Sequence, residues 1–215
     1  MIKLNELLDI IKENYFLTPI NTSAYHNLKV KGMKFDIKAF KVEGLGHVSI
    51  MRAKGLFGLM KMDTLIINPL ELDLPLYSYD RFLAMGNDTL IVEMYDTMIE
   101  KNTFESMDSL ISKYNHLPKR DAGKHWYDDI KLLQSISFKG KKDISSEFDD
   151  LAIEHLKNFL DTTANNVTDS NTKKALSLRY VNGLLENGGP STDVFTKRIG
   201  KVATEELYHK VLFGV

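Results

Sequence analysis

The chain has 215 residues, no cysteine, and 28 basic against 29 acidic residues, for a formal net charge of −1. These counts exclude disulfides, a cysteine nucleophile and thiolate ligation of zinc or an iron–sulfur cluster. They also exclude the overall basic excess with which nucleic-acid binders displace counterions from phosphate. A chain this long buries roughly 70% of its unfolded surface, so one domain over 1–215 is expected to fold without a staple.

The first segment, MIKLNELLDIIKENY, places Leu4, Leu7, Leu8 and Ile11 at helical spacing. Lys3, Glu6, Asp9 and Lys12 interrupt the apolar residues, which a signal peptide does not allow. The helix is expected to close around Pro19 and the polar Asn21-Thr22-Ser23 run. No apolar run approaches the ~20 residues that span a bilayer. A cytoplasmic protein without membrane association is the expectation.

From about 28 to 95 the pattern is that of strands. Phe35, Ile37 and Ala39 alternate with Lys34, Asp36 and Lys38, the signature of a strand with one wet face. Further strands are predicted at Val48 to Ala53, Leu59 to Ile67, Leu76 to Met85 and Thr89 to Tyr95. The last two are joined by a three-residue turn at Gly86-Asn87-Asp88. Such short links leave no room for crossover helices, so the sheet is antiparallel.

Beyond Asp96 the period becomes helical. Phe104, Met107, Ile111 and Tyr114 form one helix, closed by Pro118, and Phe148, Ala152, His155 and Phe159 a second, with Ser146 as its expected N-cap. Leu176, Tyr180 and Leu184 mark a third, stopped by Asn187-Gly188-Gly189-Pro190. The tail from Ser191 to Phe213 is helical with a break at Gly200. Strands in one block and helices in another predict an α+β fold of five to seven antiparallel strands with helices on both faces.

Few motifs carry chemistry. His125 and Asp129 stand one turn apart, but two ligands are too few for a metal site, and an exposed helix face accounts for them. Gly44-Leu45-Gly46 has Ser49 where a dinucleotide fingerprint needs its third glycine. The serines lie outside any nucleophile-elbow pattern. Lys139, Lys141 and Lys142 read as a solvated loop. No metal and no intrinsic cofactor are expected. Asp80 and Glu93 are the residues of interest, because each interrupts an otherwise apolar strand. A carboxyl on a buried face stays protonated or finds a partner, and a raised pKa suits a general acid. The alternative puts both on the wet face. Asp80 and Arg81 are neighbours, only one of them can point inward, and periodicity does not say which.

The segment LDLPLYSYDRFLAMGNDTLIVEMYDT (72–97) resembles the central hairpin of the ferredoxin-dependent bilin reductases and of red chlorophyll catabolite reductase. Pro75, Tyr77 and Asp80 match its first strand, and Glu93 or Asp96 its second. The ending NGGPSTDVFTKRIGKVATEELYHKVLFGV is similar to the close of that family. The two segments cover about a quarter of the chain. The resemblance implies an α/β/α sandwich that binds a linear tetrapyrrole between sheet and helices, with electrons from ferredoxin or flavodoxin. It further implies Asp80 as proton donor, Glu93 as a second acid, and Arg52, Lys54 or Lys61 against a propionate. Phe57, Tyr77, Tyr95 and Trp126 would line the apolar pocket. The chain departs from the family in lacking a histidine in its 76–85 strand. A non-catalytic binding or interaction protein of the same fold is the alternative function.

Overall fold

The computed structural model describes residues 4–30, 32–55, 58–188 and 190–215. Helix α1 (Leu4–Lys12) leads into β1 (Leu17–Ile20), β2 (Leu28–Val30), β3 (Met33–Val42), β4 (Gly46–Gly55) and β5 (Met60–Pro69). The hairpin of β6 (Leu76–Ala84) and β7 (Asn87–Tyr95) follows, then α2 (Glu105–Lys113) and β8 (Ile136–Lys141). Helices α3 (Ser145–Leu160), α4 (Ser170–Asn187), α5 (Pro190–Ile199) and α6 (Lys201–Glu206) complete the chain, the last running on into a π-helical turn at 207–213.

The eight strands form one antiparallel sheet in the order β1-β3-β4-β5-β6-β7-β8, with β2 beside β1 on the same edge of β3. Eight strands exceed the five to seven expected, and two of them lie outside the predicted block of 28–95. Pro19 does not end the first helix, which stops at Lys12, but sits in β1 at the sheet edge, where its missing N–H is tolerated. The half predicted to be helical contains β8, which closes the other edge against β7.

The predicted turn is also shorter than expected. Met85 and Gly86 alone form it, both with positive φ (50° and 80°), as a two-residue type I′ hairpin demands. Asn87 and Asp88 therefore belong to β7, and Asp88 is buried. Ser146 is not an N-cap, since α3 begins at Ser145 behind Ile144. The break at Gly200 falls where it was predicted, at φ 83°.

Both faces of the sheet are covered. Helices α1, α2 and α3 pack their apolar stripes on one face, against residues such as Val48, Leu65, Tyr79 and Val92. Helix α4 and the segments after it pack on the other, against Ile37, Met51, Ile66 and Tyr95. The result is the α/β/α sandwich that the sequence implied. The expectation of a wet face fails for the central strands. Alternation there separates two buried layers, and so Asp80 and Arg81 both point inward, on opposite sides.

Arg81 is fully buried and makes a bidentate pair with Asp88 at 2.6 and 2.7 Å, with the Phe148 ring 4.9 Å from its guanidinium carbon. On the other side, the π-helical turn ends against the sheet. Its carbonyls at Val211, Leu212 and Phe213 accept hydrogen bonds from His47 Nε2 (2.8 Å), Ser49 Oγ (2.8 Å) and Asn68 Nδ2 (2.7 Å). A helix terminus leaves such carbonyls without intrahelical partners, so these three side chains fix the last turn to β4 and β5.

Candidate functional site

A cavity of about 650 Å³ lies between the sheet and the α4 side of the sandwich. Its floor is the sheet face carrying Thr64, Ser78, Asp80, Ile91, Glu93 and Tyr95. Tyr180 and Leu184 of α4 form one wall, with Tyr208, Leu212 and Phe213 behind them. The roof comes from the irregular segment 114–135 between α2 and β8, which contributes Arg120, Lys124, His125, Trp126 and Tyr127.

The hairpin register sets the two acids on this floor. Asp80 pairs with Ile91 and Ser78 with Glu93, so the carboxyls are diagonal neighbours on adjacent strands. Residues so related are about 7–8 Å apart, close enough to interact. Asp80 is half-buried, with its open side on the cavity, and Thr64 Oγ1 donates to its Oδ1 at 2.5 Å. Burial pushes the Asp80 carboxyl up to about 6; the Thr64 hydrogen bond opposes the rise and the Glu93 carboxylate adds to it. A carboxylic acid poised there can hold or release a proton near neutrality.

Glu93 is held from both sides. The Tyr95 hydroxyl donates to its Oε2 at 2.6 Å, and Lys131 Nζ lies 3.9 Å from its Oε1. Tyr95 in turn packs on Tyr180 with ring centroids 4.2 Å apart and meets Tyr127 edge-on at 5.3 Å. Burial raises the Tyr95 and Tyr180 phenols well above their ordinary value, and that of Tyr208 to about 12. Neutral phenols surrounding two acids make a wall that is apolar in area and rich in hydrogen-bonding tips.

Of the residues singled out from the sequence, Asp80, Glu93, Tyr95 and Trp126 come together at this cavity. Arg52 and Tyr77 do not. Arg52 points to the opposite face, where its guanidinium donates to Asn5 Oδ1 of α1 at 2.8 Å. Lys54 and Lys61 are a cross-strand pair on that same side by alternation, and both are exposed. Tyr77 is buried against Phe159 and His155 of α3, at centroid distances of 4.7 and 5.7 Å. Each is separated from the cavity by the thickness of the sheet, because each has the parity opposite to that of its cavity-facing neighbour. Phe57 lies outside the described residues.

The cations of the cavity are Arg120 and Lys124 of the roof, neither of which the sequence suggested. Arg120 Nη1 donates to Ser137 Oγ of β8 at 3.3 Å. No periodicity marks an irregular segment; backbone hydrogen bonds from Arg120 N to Ser137 O (2.9 Å) and from Leu132 N to Met94 O (2.8 Å) hold its two ends to β8 and β7. His125 is on this segment rather than on a helix, and its near carboxylate is Asp128, not Asp129. Among the described residues no group of three or more histidines and acids could hold a metal. No helix among them is long and apolar enough to cross a membrane.

The antiparallel sheet with helices packed on both faces is an α+β sandwich. Among solved structures the chain is similar to the tomato phytochromobilin synthase in complex with biliverdin, with a TM-score of 0.74 and 16% identity. The match covers 98% of this chain and 81% of that one. At such identity the likeness is one of fold, and at that level the resemblance seen in the hairpin and the chain ending holds. No protein-family model matches the sequence, and no curated protein does.

Proposed function

We propose that the chain binds a linear tetrapyrrole in the cavity and reduces it with electrons from a ferredoxin or flavodoxin. Asp80 is the proton donor and Glu93 the second carboxylate of the floor. The observation that carries this reading is Asp80 itself. It is an acid with a pKa of about 6, facing a cavity in a fold shared with an enzyme crystallised with biliverdin. The cavity volume is in the range of ordinary small-molecule sites, roughly 300–1,000 Å³. Arg120 and Lys124 take the part first sought in Arg52, because ligand carboxylates in such a site need cations.

An absorption titration with biliverdin, followed by anaerobic addition of reduced ferredoxin, tests the proposal. A saturable red-shifted band that bleaches on reduction is expected. Asp80→Asn should keep the band and slow bleaching by on the order of 10²–10⁴-fold, the usual worth of a positioned general acid. A band that never bleaches would assign the chain to the alternative class, a binding protein of this fold. Spectra that merely add protein and pigment would end the tetrapyrrole reading.

A further inference from the structure

Met85 occupies its turn at a cost. Its φ of 50° lies in the left-handed region, which a bulky side chain enters at a penalty and where a type I′ turn ordinarily has asparagine, aspartate or glycine. Packing returns little, since the residue is 83% exposed. A second apolar tip stands beside it. Met60 pairs with Ala84, so the next step of that register brings Leu59 to Met85, and Leu59 is 73% exposed. The link that carries Leu59 reads Leu56-Phe57-Gly58-Leu59, without a polar side chain, where connections between strands are ordinarily polar.

Lysines flank the tips on both faces of the sheet. Lys34 pairs with Lys54 and Lys54 with Lys61, so three exposed ammonium groups form a row across β3, β4 and β5. Like charges directly opposite one another destabilise a sheet. The acids next along these strands, Asp36 and Asp63, stand on either side of Arg52 instead. Alternation places Lys139 and Lys141 of β8 on the opposite face, Lys141 being paired with Asn87 at the foot of the turn. Lys142 follows, with Asp143 as an exposed acid beside it.

We propose that this end of the sheet is a membrane-docking edge, where Leu59 and Met85 enter the headgroup layer of an anionic bilayer and the lysines around them bind its phosphates. The shape of the edge favours lipid over protein. Side chains at the tips of hairpins are convex; a rigid partner needs a matching socket for them, whereas a fluid lipid layer closes around a protrusion. Apolar side chains sunk to the headgroup level, with basic residues about them, are the composition of interfacial anchors. Each lysine near an anionic lipid surface strengthens binding about 5-fold, so the row Lys34, Lys54 and Lys61 supplies on the order of 10²-fold. Phosphates lying between these lysines also relieve the repulsion that the row bears in the free protein. Such an edge touches a bilayer without crossing it, so a spanning helix is not required. Docking of this kind is independent of the pigment-reducing chemistry.

The test is co-sedimentation of the full chain with vesicles of phosphatidylcholine, alone and with phosphatidylglycerol added, at low and at high salt. Wild type should bind the mixed vesicles on the order of 10²-fold more tightly than the neutral ones, and come off as salt screens the lysines. Met85→Asn puts a residue suited to left-handed φ into the turn. Its unfolding midpoint should be equal or higher, while its affinity for mixed vesicles falls about 10-fold or more. Leu59→Ser should lose affinity to a similar degree. Lys54→Gln removes the centre of the row and should weaken binding about 5-fold at unchanged or raised stability. Wild type that stays in the supernatant beside mixed vesicles at low salt would overturn the proposal. Met85→Asn and Leu59→Ser that bind like wild type would overturn it too, leaving a diffuse attraction of charges in its place. Loss of binding to an acidic protein such as a ferredoxin in Met85→Asn, with vesicle binding intact, would give the edge to a protein partner. None of these readings uses a pigment, so failure here and failure of the reductase reading are told apart.

Discussion

Asp80 is held where an acid is costly when charged. Its pKa is about 6 in the folded chain against 3.8 for an ordinary aspartate, so the native state binds this proton more tightly than the unfolded one does. Stability from this group is therefore greatest below about pH 4 and falls as pH rises, the loss being complete above about 6. At neutral pH the penalty is on the order of 2 kcal/mol, after allowing for the partial solvent access of the cavity. Asp80→Asn removes it. Denaturant unfolding across pH should show variant and wild type alike in acid and the variant more stable by that amount at pH 7. Equal stabilities at both ends would mean that the carboxyl is not confined as described. Gaining stability while losing activity is the behaviour expected of a group retained for its chemistry.

At the scale of elements, the roof depends on one helix position. Gly183 lies inside α4, where glycine costs up to about 1 kcal/mol relative to alanine. A Cβ there would come within 2.3 Å of the Trp126 ring, so the glycine makes a seat for the indole. Trp126 is 37% exposed, its ring 5.9 Å from Tyr180 and 5.4 Å from Tyr127. In Gly183→Ala the helix should gain propensity while the indole swings outward, since that side chain has room to leave. Trp126 is the single tryptophan of the chain, so its emission reports this directly. A red shift with an unchanged or slightly raised unfolding midpoint is expected, together with weaker pigment binding. Emission identical to wild type would show that the roof does not rest on this contact.

At the scale of the whole molecule, the layers are tied by a buried lysine. Lys173 of α4 is fully buried, and its Nζ donates to Asp73 Oδ1 at 3.1 Å and to the carbonyls of Leu74 and Thr97 at 2.6 and 2.9 Å. Burial opposes ionisation of Asp73. Amide hydrogen bonds from Ile99 and Glu100, together with Lys173, nevertheless hold its carboxyl below the usual range. Lys173→Met strips partners from three acceptors and should cost about 3–5 kcal/mol in urea unfolding; a loss below 1 kcal/mol would mean that solvent reaches the pair. Nothing in the sequence announced this tie, for Lys173 and Asp73 are 100 residues apart. What the sequence did carry was local: the β6–β7 hairpin, the helix stops at Gly188 and Gly200, and the candidacy of Asp80, Glu93 and Tyr95. The assignment of faces failed because alternation gives parity without saying what covers each side, and helices here cover both. Arg52 and Tyr77 were misplaced for that reason. Arg120 and Lys124 escaped notice because their segment has no period to read. The turn at Met85–Gly86 acquires a consequence from this. A one-residue change in its length would shift one strand of the hairpin against the other and turn that strand over. Were β6 the strand to turn, Arg81 would enter the cavity and Asp80 the apolar layer. The charge that a ligand meets is thus a matter of odd and even, counted from a two-residue turn at the far end of the sheet.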